Sequence, residues 1–265
     1  MRKICFIGCG NMSGAILRGI LKSGRVLPEE VTAYDIHPPA MESVAALGVN
    51  IAKDELSACE PAGMILLGVK PLHVAGVIEK IKPALNNKAL ISVAAGISLK
   101  KLRELAGPGT RLLRVMPNTP SLVLEGATVF CAETDLTKEE LAAAKAYFEA
   151  AGIVEILPEA MIDAVTGMSG GGPAYVSLFI EALADGGVLQ GIPRQTAYKL
   201  AAQTVLGTAK LIMETGIHPG QAKDMVCSPG GTTIEGVLAL EKGGMRNAVM
   251  EAVVKSSQKS SKLGL

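Results

Sequence analysis

Lys3-Ile4-Cys5-Phe6-Ile7-Gly8-Cys9-Gly10-Asn11-Met12-Ser13-Gly14-Ala15 decides how this chain is read. KICFI (3–7) is short, apolar and rich in strand formers. The glycine loop follows at once, and then an apolar-periodic helix over about 11–23. A strand, a tight glycine turn and a helix open a βαβ unit, the context in which G-x-G-x-x-small binds a dinucleotide. Gly8 permits the turn, and Gly10 lets backbone approach a pyrophosphate. Ser13 is the small residue where helix and strand pack closely. The diphosphate would sit on the N–H groups that open the helix. A merely structural glycine turn is the competing reading.

The next segments extend that unit. VTAYD (31–35) reads as a strand and MESVAALG (41–48) as a helix stopped by Gly48. MILLGV (64–69), ALISVA (89–94) and RLLRVM (111–116) are near-continuous apolar strands, with helices near 72–82 and 98–106 between them. Such alternation predicts a doubly wound, mainly parallel sheet covered on both faces. ATVFCA (127–132), a helix at 137–150 and IVEIL (153–157) continue the domain. Beyond residue 160 the pattern turns all-helical: 172–190, 194–215, 219–226, 232–242 and 245–262. We therefore expect an α/β domain over 1–160 and an all-α domain over 161–265. The second is apolar, Ala- and Gly-rich and short, which hints at packing between subunits.

Composition narrows the function. Of 265 residues 49% are apolar and 19% charged, enough for a sizeable core. Net charge is +1, with 17 basic and 17 acidic residues before position 161 and 9 and 8 after it. That is no field for nucleic acid, and 3% aromatics give few stacking platforms. No apolar run reaches membrane length. Five cysteines without C-x-x-C read as thiols in a reducing compartment. The opening segment lacks a signal-peptide pattern, so a cytoplasmic protein is expected. His37, His73 and His218 are too scattered for a metal site or triad.

Other cofactor candidates fall at strand ends. Asp35, 25 residues after Gly10, stands where a carboxylate takes a ribose 2′-hydroxyl and repels a 2′-phosphate, favouring NADH over NADPH. An N-cap or turn aspartate before His37-Pro38-Pro39 is the competing reading, and Lys53 could come round from a neighbouring strand end to hold a 2′-phosphate. Val69 and Lys70 end the MILLGV strand. Lys70 suits a ribose or an anionic substrate, or plain solvation. Ala94-Ala95-Gly96 ends another strand with almost no side chain, which suits a nicotinamide ring.

A second cluster reads Asp224-Met225-Val226-Cys227-Ser228-Pro229-Gly230-Gly231-Thr232-Thr233-Ile234. Gly230 and Gly231 expose successive N–H groups before a helix, an anion nest suited to a carboxylate. A capped helix without ligand is the bland alternative.

G-C-G-N-M-S-G-A, V-K-P, M-P-N-T-P (116–120), E-G-A-T (125–128), D-A-V-T-G-M-S-G-G-G-P-A-Y (163–175), A-D-G-G-V (184–188), H-P (218–219) and D-M-V-C-S-P-G-G-T-T-I together resemble pyrroline-5-carboxylate reductase, from end to end and in motif order. Ser13 stands where that family usually has Ala. The resemblance implies a Rossmann domain followed by a helical dimerisation domain, and NADPH- or NADH-dependent reduction of L-1-pyrroline-5-carboxylate to L-proline. Dimers, and larger assemblies of them, are implied as well. So are a cofactor site at Gly8, Gly10, Asn11, Met12, Asp35, Val69, Lys70, Ala94, Ala95 and Gly96, and a substrate carboxylate on Gly230, Gly231, Thr232 and Thr233. Catalysis falls to Thr233, facing the ring nitrogen, and to Ser228, shaping the loop. Asp163, Glu181 and Asp185 are the alternative proton sources. A β-hydroxyacid dehydrogenase would need a lysine early in its helical domain, and residues 161–193 hold none. A cofactor-sensing module would leave the Ser228–Thr233 nest without a purpose, and an intact glycine loop weighs against a helical scaffold.

Overall fold

The computed structural model describes residues 4–263. Residues 1–3, with Lys3 of the expected first strand, and residues 264–265 of the expected second domain lie outside them. The sequence opens with β1 (Ile4–Ile7), α1 (Asn11–Lys22), β2 (Val31–Tyr34), α2 (Pro38–Ala45), β3 (Asn50–Ile51) and α3 (Glu55–Cys59). It continues through β4 (Met64–Leu67), α4 (Val74–Ile81), β5 (Ala89–Ser92), α5 (Leu99–Ala106) and β6 (Arg111–Met116). Then come β7 (Gly126–Cys131), α6 (Lys138–Glu149) and β8 (Gly152–Leu157).

The eight strands form one sheet in the order β3-β2-β1-β4-β5-β6-β7-β8. All pairs are parallel except β6 with β7. The order reverses between β1 and β4, the switch point at whose carboxyl edge such sheets bind ligands. Successive strand residues feed opposite faces. Phe6, Leu66, Ile91 and Leu113 pack under α1 and α6 with Ile16, Leu17, Ile20 and Phe148. Cys5, Ile65, Leu67, Leu90 and Leu112 meet Ile78, Leu102 and Ala58 on the other face. Each fully buried Ile or Leu contributes roughly 1.5–3 kcal/mol. Phe130 and Phe148 stack edge to face, 5.2 Å apart.

Three local expectations need correction. The second helix starts at Pro38, not Met41, and ends at Ala45. Pro38 and Pro39 occupy the first helical positions, where their missing N–H groups cost nothing. The exposed edge strand β3 and short α3, capped by Asp54 from the Ser57 N–H at 2.7 Å, were not foreseen. Nor were α7 (Ile162–Val165) and the π-turn at Thr166–Gly170.

After the π-turn come α8 (Gly172–Leu189), α9 (Arg194–Thr215), α10 (Pro219–Asp224), α11 (Thr232–Lys242) and α12 (Met245–Leu263). The compact units do not part at residue 160. One runs to Gly171 and takes back the chain from Val254; the other is Gly172–Val253. The cause is apolar: Ile162 and Val165 are buried with Met116 and Val129 of the sheet. The Ser260 hydroxyl also donates to Asp163 at 2.6 Å. In the helical unit α8 meets α9 through Ala184, Ala197 and Ala201, flanked by Ile180, Val188 and Ile192. Small residues there let the two backbones approach. Among the described residues no helix is long and apolar enough to cross a membrane.

Candidate functional site

The glycine loop is fixed by its neighbours on the sheet. Gly8 lies at φ +83°, and a Cβ there would stand 2.8 Å from the Gly68 backbone and 2.9 Å from Val69. Its N–H donates to the Tyr34 carbonyl at 2.9 Å, and the Gly68 N–H donates to Ile7 at 2.8 Å. The ends of β1, β2 and β4 thus meet on this loop. Beneath it, a Cβ on Gly68 would run into the Ser13 hydroxyl. Ser13 is buried, and its hydroxyl has no partner.

Gly10 is the N-cap of α1, without a side-chain cap. The first helical bond runs from the Gly14 N–H to the Gly10 carbonyl at 2.8 Å. The N–H groups of Asn11, Met12 and Ser13 therefore have no partner within the helix. Gly10 faces open space, and no acidic residue stands in the first turn. This is a donor set with room for a diphosphate.

Asp35 lies at the end of β2 and is tied to the loop. Its Oδ2 accepts the Cys9 N–H at 2.6 Å and its Oδ1 the His37 N–H at 2.9 Å. Asp35 is thus a turn aspartate, and it stands at the carboxyl end of β2. Burial and the Asp35 charge push the Cys9 thiol up to about 12, so it stays protonated at neutral pH. Lys53 follows the end of β3 by two residues, as Asp35 follows the end of β2 by one. Lys70 is exposed and makes no ion pair among the described residues. Ala94 is buried, and Gly96 turns the chain at φ +76°. Every predicted cofactor residue thus belongs to the sheet unit and lies at the carboxyl ends of β1, β2, β4 and β5.

The substrate candidates lie together in the helical unit. Gly230 has φ +66°, and Gly231 is the N-cap of α11 without a side-chain cap. The Gly231 N–H donates to the Ser228 carbonyl at 3.0 Å. A Cβ on Gly231 would collide with the Ser228 hydroxyl. Thr232 and Thr233 are exposed and make no side-chain hydrogen bond. Cys227 is partly exposed, whereas the other four thiols are buried and all five are free. His218 caps α10, its Nδ1 accepting the Gly220 N–H at 3.1 Å. Among the alternative proton sources, Asp163 is engaged by Ser260 and Asp185 by Arg194. Tyr175 donates weakly to the Ala252 carbonyl at 3.4 Å, a packing role. Among the described residues no group of three His, Cys, Asp or Glu could hold a metal ion.

One feature escaped the sequence reading. Arg114 is 6% exposed inside β6 and pairs with Glu159 at 2.9 Å. A cation within RLLRVM was the available signal, since a buried guanidinium requires an anion.

Residues 159–263 match the family model described as pyrroline-5-carboxylate reductase dimerisation. Residues 3–96 match the one described as NADP oxidoreductase, coenzyme F420-dependent. The chain is 47% identical to the pyrroline-5-carboxylate reductase of Escherichia coli (strain K12), over 99% of its own length and 98% of that protein. Identity to the Arabidopsis thaliana enzyme is 45%, over 98% and 95%. The solved pyrroline-5-carboxylate reductase of Coxiella burnetii superposes with TM-score 0.93 at 31% identity, covering 100% of this chain and 99% of that one. The Plasmodium falciparum pyrroline carboxylate reductase with NADP bound gives 0.89 at 32%, covering 100% and 98%. With both motif clusters in place and such similarity along its whole length, the chain belongs to the pyrroline-5-carboxylate reductase family.

Proposed function

We propose that this protein reduces L-1-pyrroline-5-carboxylate to L-proline, the closing step of proline biosynthesis, with a nicotinamide cofactor. The single observation that carries the reading is the pairing of two donor nests in one chain. One is the uncapped start of α1 behind Gly8 and Gly10; the other is the uncapped start of α11 behind Gly230 and Gly231. The first suits a diphosphate and the second a carboxylate.

The reaction asks little else of the protein. When bound, the reduced nicotinamide would supply the hydride for the imine carbon of a ring whose nitrogen carries a proton. The N–H groups of Gly230, Thr232 and Thr233 aim the ring by its carboxylate, while the Gly231 N–H, turned to the Ser228 carbonyl, holds the loop. The free Thr233 hydroxyl hydrogen-bonds the nitrogen, and Ser228 holds the nest in shape. Ala94, Ala95 and Gly96 leave the ring face unobstructed, and Asn11, Met12, Val69 and Lys70 complete the cofactor's surroundings. No strong base or metal is needed, because a protonated imine is already activated.

Asp35 makes NADH the preferred cofactor. Its carboxylate accepts from a 2′-hydroxyl and repels a 2′-phosphate. The helical region from residue 161 binds substrate and forms a homodimer, and dimers assemble further. Unpartnered apolar side chains support the dimer: Leu178, Leu189 and Met213 are 68%, 84% and 67% exposed. The buried free thiols support a cytoplasmic location.

The test is oxidation of NADH and of NADPH in parallel with pyrroline-5-carboxylate, scored by proline formed. Proline formation with NADH faster than NADPH is expected; no turnover by cofactor-binding protein would overturn the reading. Thr233→Ala should lower turnover roughly 10- to 100-fold, the loss of one hydrogen bond to a charged group. The cofactor KM should stay unchanged.

A further inference from the structure

The Ala94–Ser98 loop is pinned at both ends, and the exit pin is charged. At the entry, the Ser92 hydroxyl accepts the Ala94 N–H at 3.3 Å. At the exit, Glu159 Oε1 accepts the Leu99 N–H at 2.7 Å. Leu99 is the first residue of α5, so this carboxylate caps the helix directly behind the loop. The same Oε1 receives Arg114 Nη1 at 2.9 Å. Arg114 sits in register with Ser92 on the neighbouring strand, so the cation stands beside the loop's entry. Glu159 is held from behind as well, because its own N–H donates to Glu133 Oε2 at 2.8 Å. Between the pins Gly96 takes φ +76°, a left-handed turn open to glycine.

From this bracket we infer that Glu159, anchored by the buried Arg114, is a positioning residue for the cofactor's reacting end. It sets the height of the Ala94–Ser98 loop above the sheet, and with it the surface offered to the nicotinamide. The inference rests on the proposed cofactor role of that loop. Glu159 lies 60 positions from Leu99 in sequence and touches no proposed ligand. Its effect runs wholly through the loop. An unanchored carboxylate would satisfy the helix end equally well; the buried guanidinium is what removes its freedom.

The test compares the full-length enzyme with Glu159→Ala and Glu159→Gln, reading the KM for cofactor and for the cyclic imine separately, with thermal melting alongside. Losing a charge-assisted hydrogen bond corresponds to about a tenfold change. Glu159→Ala should therefore raise the cofactor KM about tenfold while the imine KM stays put. Glu159→Gln, which keeps an oxygen for the Leu99 N–H but leaves the buried Arg114 without its anion, should recover only part of the loss. Should Glu159→Ala not fold, Glu159→Gln carries the same comparison through a smaller rise confined to the cofactor. A wild-type cofactor KM in the folded variants overturns the inference, as does a rise shared equally by both ligands. Gly96→Ala, within the loop, separates the two levels. If it is silent, the cofactor role of the loop falls. If it acts and the Glu159 variants do not, only the positioning role falls.

Discussion

In the sheet unit Phe6, Ile16, Leu66 and Phe148 are almost wholly buried. In the helical unit the fully buried apolar residues are Ala184, Ala197 and Ala201, while whole leucines stand in the open. Tyr175, Leu178, Leu183, Leu200, Leu240 and Val249 line an open apolar groove of about 910 Å³ there. The sheet unit is stabilised by side chains it already holds. The helical unit has apolar residues but buries few of them by itself. Leucines left exposed in such numbers mark a surface meant to be covered. One unit is a finished core; the other is half of one.

The sharpest way to break this comparison is to charge the groove. Leu178→Asp should weaken self-association roughly 150- to 5,000-fold, since an uncompensated charge buried at an interface costs about 3–5 kcal/mol. Sedimentation should show dimer giving way to monomer while the sheet unit keeps its cofactor affinity. An unchanged dimer would mean the exposed leucines are not the contact.

A smaller effect contrasts a glycine from each unit. Gly8→Ala combines positive φ with backbone contact and should cost roughly 3 kcal/mol or more, with loss of cofactor binding. Gly230→Ala faces open space, so it should cost only roughly 1–2 kcal/mol from its left-handed backbone and should weaken the imine before the cofactor. Melting curves and separate titrations check both. The smallest effect concerns the finished core itself. Ser13→Ala removes a buried hydroxyl that has no partner, and should be neutral or stabilising by about 1 kcal/mol. A clear loss of stability would show that the hydroxyl is engaged after all.

What the sequence revealed follows the same division. Strands β1, β4, β5 and β6 are buried on both faces, so their apolar runs are unbroken and legible. The Gly8–Gly10 loop was legible because its chemistry is local. β3 was not, because Asn50 and Ile51 lie at an exposed edge and carry no pattern. The packing of Ile162 and Val165 on the sheet was not legible, because they are apolar in either unit and only their burial against Met116 assigns them. Glycines at 167 and 170–172 masked the π-turn. The Arg114–Glu159 pair spans 45 positions, beyond any local pattern.

The return of the chain at Val254 has a consequence for synthesis. The sheet unit is completed by the last turns of α12, where Ser260 reaches Asp163. Residues 172–253 are thus spliced into it as an excursion. On the ribosome the strands emerge first, yet their unit lacks its closing helix until residues 172–253 have also been made. Emergence of α12, rather than of the eighth strand, is the point at which the sheet unit can close.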